Sequence, residues 1–309
     1  MQKRSLAKGK KLLMRVQQNW QPYLFLLPTL TYFGVFHYAV MYGVQIAFKK
    51  YIAIKGIWGS PWVGMQHFNR LFSSYQFPVL VKNTVLLSVE NLLIGFPIPI
   101  IFALLLNQIK QPGLKKTVQN ITYAPYFLST IVIVSIINAL TGLDSGFINY
   151  ILAALGKKRI LFMGDARWFR PMYVISEIWQ KTGWDSIIYV AALASVSPEL
   201  HEAAMVDGAN KPQRIWHIDL PALVPTIIVL FILRSGQIMK LGFEKAYLMQ
   251  NALNLDASEI ISTYVYKMGV QQAQYSFASA TELFNSVINI ILIVIVNTIS
   301  RKVGETSLW

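Results

Sequence analysis

Six stretches of this chain are each apolar over about twenty residues or more, and runs of that length decide what class of fold is open to it. An α-helix rises about 1.5 Å per residue, so roughly 20 apolar residues cover the ~30 Å hydrocarbon core of a bilayer. The runs fall at residues 22–48, 79–106, 119–141, 172–196, 222–241 and 278–300. They are continuous and lack alternation, which selects helices over the roughly ten-residue strands of a membrane barrel. The expected fold class is therefore all-α: a polytopic membrane protein with six transmembrane helices across 22–300. It is flanked by a basic segment, 1–21, and a short tail, 301–309. Composition agrees, because 54% of residues are hydrophobic and 14% charged, where a soluble domain carries about 25% charge. Pro97 and Pro99 predict a kink in the second span.

Charge near the span ends predicts orientation. Lys3, Arg4, Lys8, Lys10, Lys11 and Arg15 precede the first span with no acid among them, which places the amino terminus in the cytoplasm. An even number of spans returns the carboxyl terminus, with Arg301 and Lys302, to the same side. Lys110, Lys115 and Lys116 fit an inner loop, whereas the outer segment holding Lys157, Lys158, Arg159, Arg167 and Arg170 runs against the rule. The first apolar run exceeds the 7–15 residues of a signal peptide and lacks a small-residue cleavage site, so it reads as a retained helix. A net charge of +14 is dispersed among loops and is accounted for by topology and anionic headgroups, so nucleic acid is not an expected partner. Cysteine is absent, which excludes disulfides and thiolate metal sites.

A charged insert at 197–221 separates the fourth and fifth runs. Ser197-Pro198 is a helix start, since serine caps free amides and proline suits the first helical position. Gly208 stands where a left-handed terminating residue is wanted, and Pro212 opens a second short helix. Ala203 and Ala204 keep the surface thin, while Glu202 and Asp207 flank it with carboxylates, a surface suited to an arginine-lined groove. The alternative is a solvated loop with ordinary caps.

The order Glu202-Ala203-Ala204, Asp207-Gly208-Ala209, then Ile218-Asp219-Leu220-Pro221 resembles the EAA motif of permease subunits of binding-protein-dependent ABC importers of type I. Segments such as Met41-Tyr42-Gly43-Val44-Gln45, Trp62-Val63-Gly64-Met65, Ala124-Pro125-Tyr126-Phe127 and Tyr247-Leu248-Met249-Gln250-Asn251 look like the LplB-type branch of oligosaccharide permeases, so the likeness covers nearly the whole chain. The resemblance implies that the insert is a coupling helix docking in a cleft of a cytoplasmic ATPase, with Glu202 in a charge contact and Gly208 permitting the turn. Leu220 and Pro221 would fix the exit into the fifth helix. It also implies a second homologous permease, an ATPase dimer that binds ATP and magnesium, an extracytoplasmic sugar-binding protein, an oligosaccharide substrate and a place in the cell membrane.

No motor is expected in the chain itself. A phosphate-binding loop needs Gly-x-x-x-x-Gly-Lys-[Ser/Thr], and Gly9-Lys10 and Gly156-Lys157 are each followed by another lysine. His37, His67, His201 and His217 show no ligand spacing, so no metal and no cofactor are expected, and a lone histidine reads as structural. An ATPase-independent secondary transporter or channel is the runner-up, and it gives no reason for the EAA spacing. A membrane enzyme is a third reading.

Ionisable groups at membrane depth face the bundle interior or a wet path. Glu177, Lys181 and Asp185 recur every four residues on one face of the fourth span, beside Trp179, Gln180 and Trp184. One reading is a sugar path in which Trp184 stacks on a pyranose while Gln180 and Asp185 hydrogen-bond its hydroxyls. The other is that Lys181 neutralises Glu177 and Asp185 and the triplet holds helices together. Arg234, Gln237 and Lys240 lie three apart in the fifth span and would favour an anionic sugar, unless Arg234 pairs with Glu90 or with the partner permease. Asn285 and Asn289 fit interhelical hydrogen bonding, and Glu244 and Lys245 lie in a segment expected to face outward.

Overall fold

The structure, a computed structural model, describes residues 19–239 and 242–304. The basic amino-terminal segment, Lys240 and the last residues of the tail lie outside them. The chain divides into two compact units, Met1–His67 and Phe68–Trp309.

In the first unit, α1 (Trp20–Phe48) is a single 29-residue run. Its register changes through a π turn at Gly34–Tyr38 and a 3-10 stretch at Tyr42–Phe48. Pro28 lies inside the first part, where its ring removes a backbone donor. Phe25, Leu30, Phe36 and Tyr38 are all exposed within the unit, as a helix bathed in lipid requires. Beyond it the chain doubles back through isolated bridges, Lys49 to Trp62 and Ile52 to Gly56, and Phe48 stacks on Trp62.

The second unit is helical throughout its described residues. Helices α2 (Gln76–Gly95) and α3 (Pro97–Asn107) form one 32-residue membrane-length element interrupted at Phe96. That is where Pro97 and Pro99 remove two donors, and the interruption is confined to Phe96, whose backbone stays helical. The third run departs from expectation. In place of one helix over 119–141 there are α4 (Pro112–Tyr123), a 3-10 turn at Ala124–Phe127 and α5 (Thr130–Thr141), with a bend of 101° between the two halves. Pro125 denies the first helix a donor, and Ser129 starts the second by accepting the Val132 N–H at 3.4 Å.

A short helix, α6 (Phe147–Ala154), leads to α7 (Ala166–Ala194), 29 residues or about 44 Å long. Asp165 caps α7 by accepting the Arg167 N–H at 2.9 Å. Five charged side chains make α7 the least apolar of the expected spans. Then come α8 (Pro198–Val206), α9 (Lys211–Arg214), a π turn at Ile215–Asp219 and α10 (Leu220–Ser235). The fifth expected span thus begins earlier than 222 and ends earlier than 241, because Gly236 and a run of turns follow Ser235. Two short helices, α11 (Phe243–Met249) and α12 (Ile261–Tyr266), precede α13 (Tyr275–Gly304), which carries Arg301 and Lys302 in its last turn. Among the described residues four helices are long and apolar enough to cross a membrane, and the bent pair makes five if counted as one span.

Helix α7 is the hub, packing on α2, α3, α4, α5, α10 and α11. Three apolar clusters hold the unit together. Leu87, Ile133, Phe169, Tyr173 and Met249 form one, and Phe96, Ile100, Tyr189, Leu193 and Leu223 a second. Leu80, Met239, Ile261, Tyr264 and Phe277 form the third. Asn285 and Asn289 pin α13 to the segment after α10: Asn289 Oδ1 accepts the Met239 N–H at 3.1 Å, and Asn285 Nδ2 donates to the Met239 carbonyl at 3.4 Å. Such bonds between membrane helices are each worth under about 2 kcal/mol.

Candidate functional site

The insert after α7 is a built element. Ser197 Oγ accepts the Glu199 N–H at 3.3 Å to open α8, with Pro198 in the first turn. At the far end Gly208 takes φ +81°, and the Gly208 and Ala209 amides donate to the Met205 and Ala204 carbonyls at 3.1 and 2.8 Å. That pair of bonds is a Schellman termination, which uses a left-handed residue and so favours glycine. Asn210 and Gln213 then cap one another reciprocally, at 3.0 and 2.8 Å, to start α9.

The surface so made is open. Glu202, Ala203 and Asp207 are exposed, as is the neighbouring Val206, and neither carboxylate has a partner among the described residues. A shallow cavity of about 300 Å³ lies between Ala204, Asp207 and Gly208 on one side and Arg214, His217 and Ile218 on the other. Leu220 and Pro221 begin α10 directly after the π turn.

Two residues of this segment were not singled out from sequence. Asp219 is fully buried, with its Oδ1 3.2 Å from His201 Nε2 of α8 and its Oδ2 accepting from Gln108 Nε2 at 3.1 Å. One carboxylate thereby ties α8 to the end of α3 and to the start of α10. His201, taken as a lone structural histidine, has a charged partner 18 residues away.

Inside the bundle the polar residues of α7 divide into two sets. Glu177, Lys181 and Asp185 face a cavity of about 150 Å³ together with Ser88, Asn91, Arg234 and Gln237. Glu177 is held between two lysines, Lys181 at 2.5 Å and Lys245 at 2.9 Å. Arg234 pairs with Asp185, not with Glu90, whose partner is Arg170 at 3.0 Å. Lys245, expected to face outward, is 3% exposed and belongs to this network, because α11 folds back onto α7. Ser88 Oγ lies buried on the same wall with no hydrogen-bond partner among the described residues. A larger cavity of about 470 Å³ adjoins it, sharing Pro99, Asp185, Arg234 and Gln237, so the Arg234–Asp185 pair stands between a polar and a mainly apolar chamber.

Gln180 and Trp184 do not face the polar cavity. Gln180 Nε2 donates to the Leu128 carbonyl at 3.1 Å, satisfying the backbone at the bend between α4 and α5. Trp184 stacks on Tyr126 with centroids 4.4 Å apart and planes 4° from parallel, and it borders the larger chamber. Gly183 lets α7 approach this bend: a Cβ there would lie 2.1 Å from the Thr122 carbonyl oxygen. Arg234 and Gln237 meet at one wall, although α10 ends before Gln237 and a turn carries that side chain there, so the expected single helical stripe is replaced. Lys240 lies outside the described residues. No cluster of metal-ligating side chains occurs among the described residues.

The family model described as the binding-protein-dependent transport system inner membrane component matches residues 81–305. The polygalacturonan/rhamnogalacturonan transport system permease protein YteP of Bacillus subtilis (strain 168) is 43% identical over 302 residues, covering 98% of this chain and 94% of that protein. Protein LplB of the same organism is 44% identical over 303 residues, covering 98% and 95%. A crystal structure of a bacterial ABC transporter involved in the import of the acidic polysaccharide alginate contains a chain that superposes with a TM-score of 0.89 at 39% identity, over 95% of this chain and 99% of that one. A second crystal structure, of bacterial alginate ABC transporter in complex with an alginate pentasaccharide-bound periplasmic protein, gives the same score. With a helical bundle of membrane-length helices and these likenesses, the chain belongs to the family of binding-protein-dependent transport system inner membrane components.

Proposed function

We propose that this chain is one of two homologous permeases forming the translocation path of an ATP-driven oligosaccharide importer, and that its docking segment, 197–221, seats in a separate ATPase dimer. The observation that carries the reading is the insert itself: a doubly capped helix, turn, helix unit with unpartnered carboxylates outward and a buried carboxylate tying it to two membrane helices. Such a unit moves as a rigid body. Closure of the ATPase pair around ATP and magnesium would shift α8, and Asp219 would carry that shift into α3 and α10, which bear Pro99 and Arg234 on the chamber walls. Glu202 and Asp207 are the charge contacts, Ala203 and Ala204 allow close approach, Gly208 makes the turn, and Ile218, Leu220 and Pro221 fix the exit. An extracytoplasmic binding protein delivers the sugar, and both termini lie in the cytoplasm.

The two adjoining chambers are the proposed path through this half of the pore. Trp184 offers an aromatic edge, Gln237 a free amide, and Asp185 with Arg234 a charge pair that sugar hydroxyls or a carboxylate can enter. The chamber walls with Lys245 carry three cations against two carboxylates, and the likeness to an alginate importer supports an acidic oligosaccharide as cargo. Arg234→Gln in the reconstituted importer is expected to lower uptake of an acidic oligosaccharide about tenfold more than uptake of a neutral one. Equal losses would remove the acidic cargo and leave the permease reading intact. Failure of an ATPase and a second permease to co-purify with the chain would remove the permease reading itself.

A further inference from the structure

An apolar groove of about 390 Å³ lies between α5 and α7. Its walls include Ile137, Leu140, Ile148, Phe162, Trp168 and Trp179. The two hydroxyls on it are spent, since Thr141 donates to the Ile137 carbonyl at 2.7 Å and Ser176 to the Met172 carbonyl at 2.6 Å. A wall of that kind suits hydrocarbon. It occupies the halves of α5 and α7 next to residues 142–165, at the end of α7 away from the docking segment, which the proposed orientation puts in the outer leaflet.

Residues 142–171 carry five cations, Lys157, Lys158, Arg159, Arg167 and Arg170, against two acids, Asp144 and Asp165. Three of the cations are matched: Arg159 with Asp144 at 3.0 Å, Arg167 with Asp165 at 2.7 Å and Arg170 with Glu90 at 3.0 Å. The Arg167 guanidinium, hydrogen-bonded to Asp165, holds that carboxyl below its usual range, so this pair stays neutral overall. Lys157 and Lys158 remain exposed with no partner among the described residues. They follow α6, whose exposed side chains Phe147, Tyr150 and Leu155 with a basic flank fit a helix lying at the bilayer surface. Asn149 of α6 bonds both backbone groups of Ile160, at 2.8 and 2.9 Å, which keeps the lysine-bearing loop beside the helix whose Ile148 lines the groove.

We propose that the groove and the two lysines together bind one anionic phospholipid of the outer leaflet, with an acyl chain along α5 and α7 and the phosphate on Lys157 and Lys158. The site gives a physical reason for a basic segment on the side where the positive-inside rule disfavours it.

The test uses the assembled importer in phosphatidylcholine nanodiscs containing a fixed minor fraction of either phosphatidylglycerol or phosphatidylcholine brominated on the acyl chain. The tryptophan quenching removed by W168F/W179F is the signal. Brominated phosphatidylglycerol is expected to quench it on the order of tenfold more effectively than the brominated neutral lipid, and K157Q/K158Q should erase that preference while leaving quenching by the neutral lipid unchanged. Equal quenching by both lipids in the unaltered protein would overturn the proposal, as would a preference that survives the lysine changes. Absence of quenching would mean that protein covers the groove, and would overturn it too. Sidedness is read separately: the chain has no cysteine, so Lys157→Cys is a unique thiol for an impermeant maleimide.

Discussion

Asp219 shows how a residue can matter through two partners that the sequence sets far apart. Its carboxylate is fully buried, and His201 and Gln108 reach it from different helices. Spacing pointed to the cap, the turn glycine and the second helix start of the insert, because capping and turn chemistry act within a few residues. The Asp219 contacts were not legible, since they form only when the insert folds back on α3. Buried polar groups left unpaired cost about 1–3 kcal/mol, so Asp219→Ala is expected to loosen α8 while leaving the bundle intact. Hydrogen exchange of the amides in 198–209 should accelerate by about tenfold or more, with exchange in α13 unchanged. Unaltered protection of α8 would show that Asp219 does not hold it.

Among the elements, apolar length located four of the six expected spans, and it misjudged the shape of the third. A window of about twenty residues averages across Pro125 and Ser129, while helical hydrogen bonding stops there, so the bend is a matter of donors and caps that a hydropathy window does not see. The fourth span is the reverse case: its charges weaken its apolar signal, yet α7 runs unbroken for 29 residues because neighbouring side chains pair with them. Its junction with the bend depends on Gly183. Ala at that position would set a methyl 2.1 Å from the Thr122 carbonyl oxygen, a backbone atom that cannot move alone. Overpacking of this kind typically costs about 1–3 kcal/mol. Gly183→Ala should therefore lower the thermal midpoint of the detergent-solubilised complex by several degrees, where Gly113→Ala, which meets nothing within 4 Å, should leave it within error. Equal behaviour of the two variants would mean that α4 and α7 slide apart freely.

For the molecule as a whole, the arrangement separates three tasks along the bundle. The docking segment lies beyond one end of α7, the polar and apolar chambers lie midway, and the basic loop lies beyond the other end. No catalytic constellation is needed at any of these levels, because a permease contributes geometry and takes its energy from outside. The proposed function assigns hydrolysis to a separate ATPase, and the family to which the chain belongs is a transport component. The test of that division is a change that breaks communication and leaves both ends whole. Glu202 is exposed and has no partner among the described residues, so reversing its charge is expected to leave the subunit's own fold undisturbed. If the proposed cleft is lined with arginine, placing a lysine against it costs several kcal/mol at the interface. Glu202→Lys is expected to reduce oligosaccharide uptake and binding-protein-stimulated ATP hydrolysis together, by about tenfold or more, while the amount of subunit in the membrane stays constant. A loss of uptake with normal stimulated hydrolysis would move Glu202 from docking to the path, and normal values of both would remove it from the mechanism. Recovery of both activities on reversing a facing arginine of the ATPase to glutamate would identify the contact itself, since only a direct charge pair is restored by exchanging its signs.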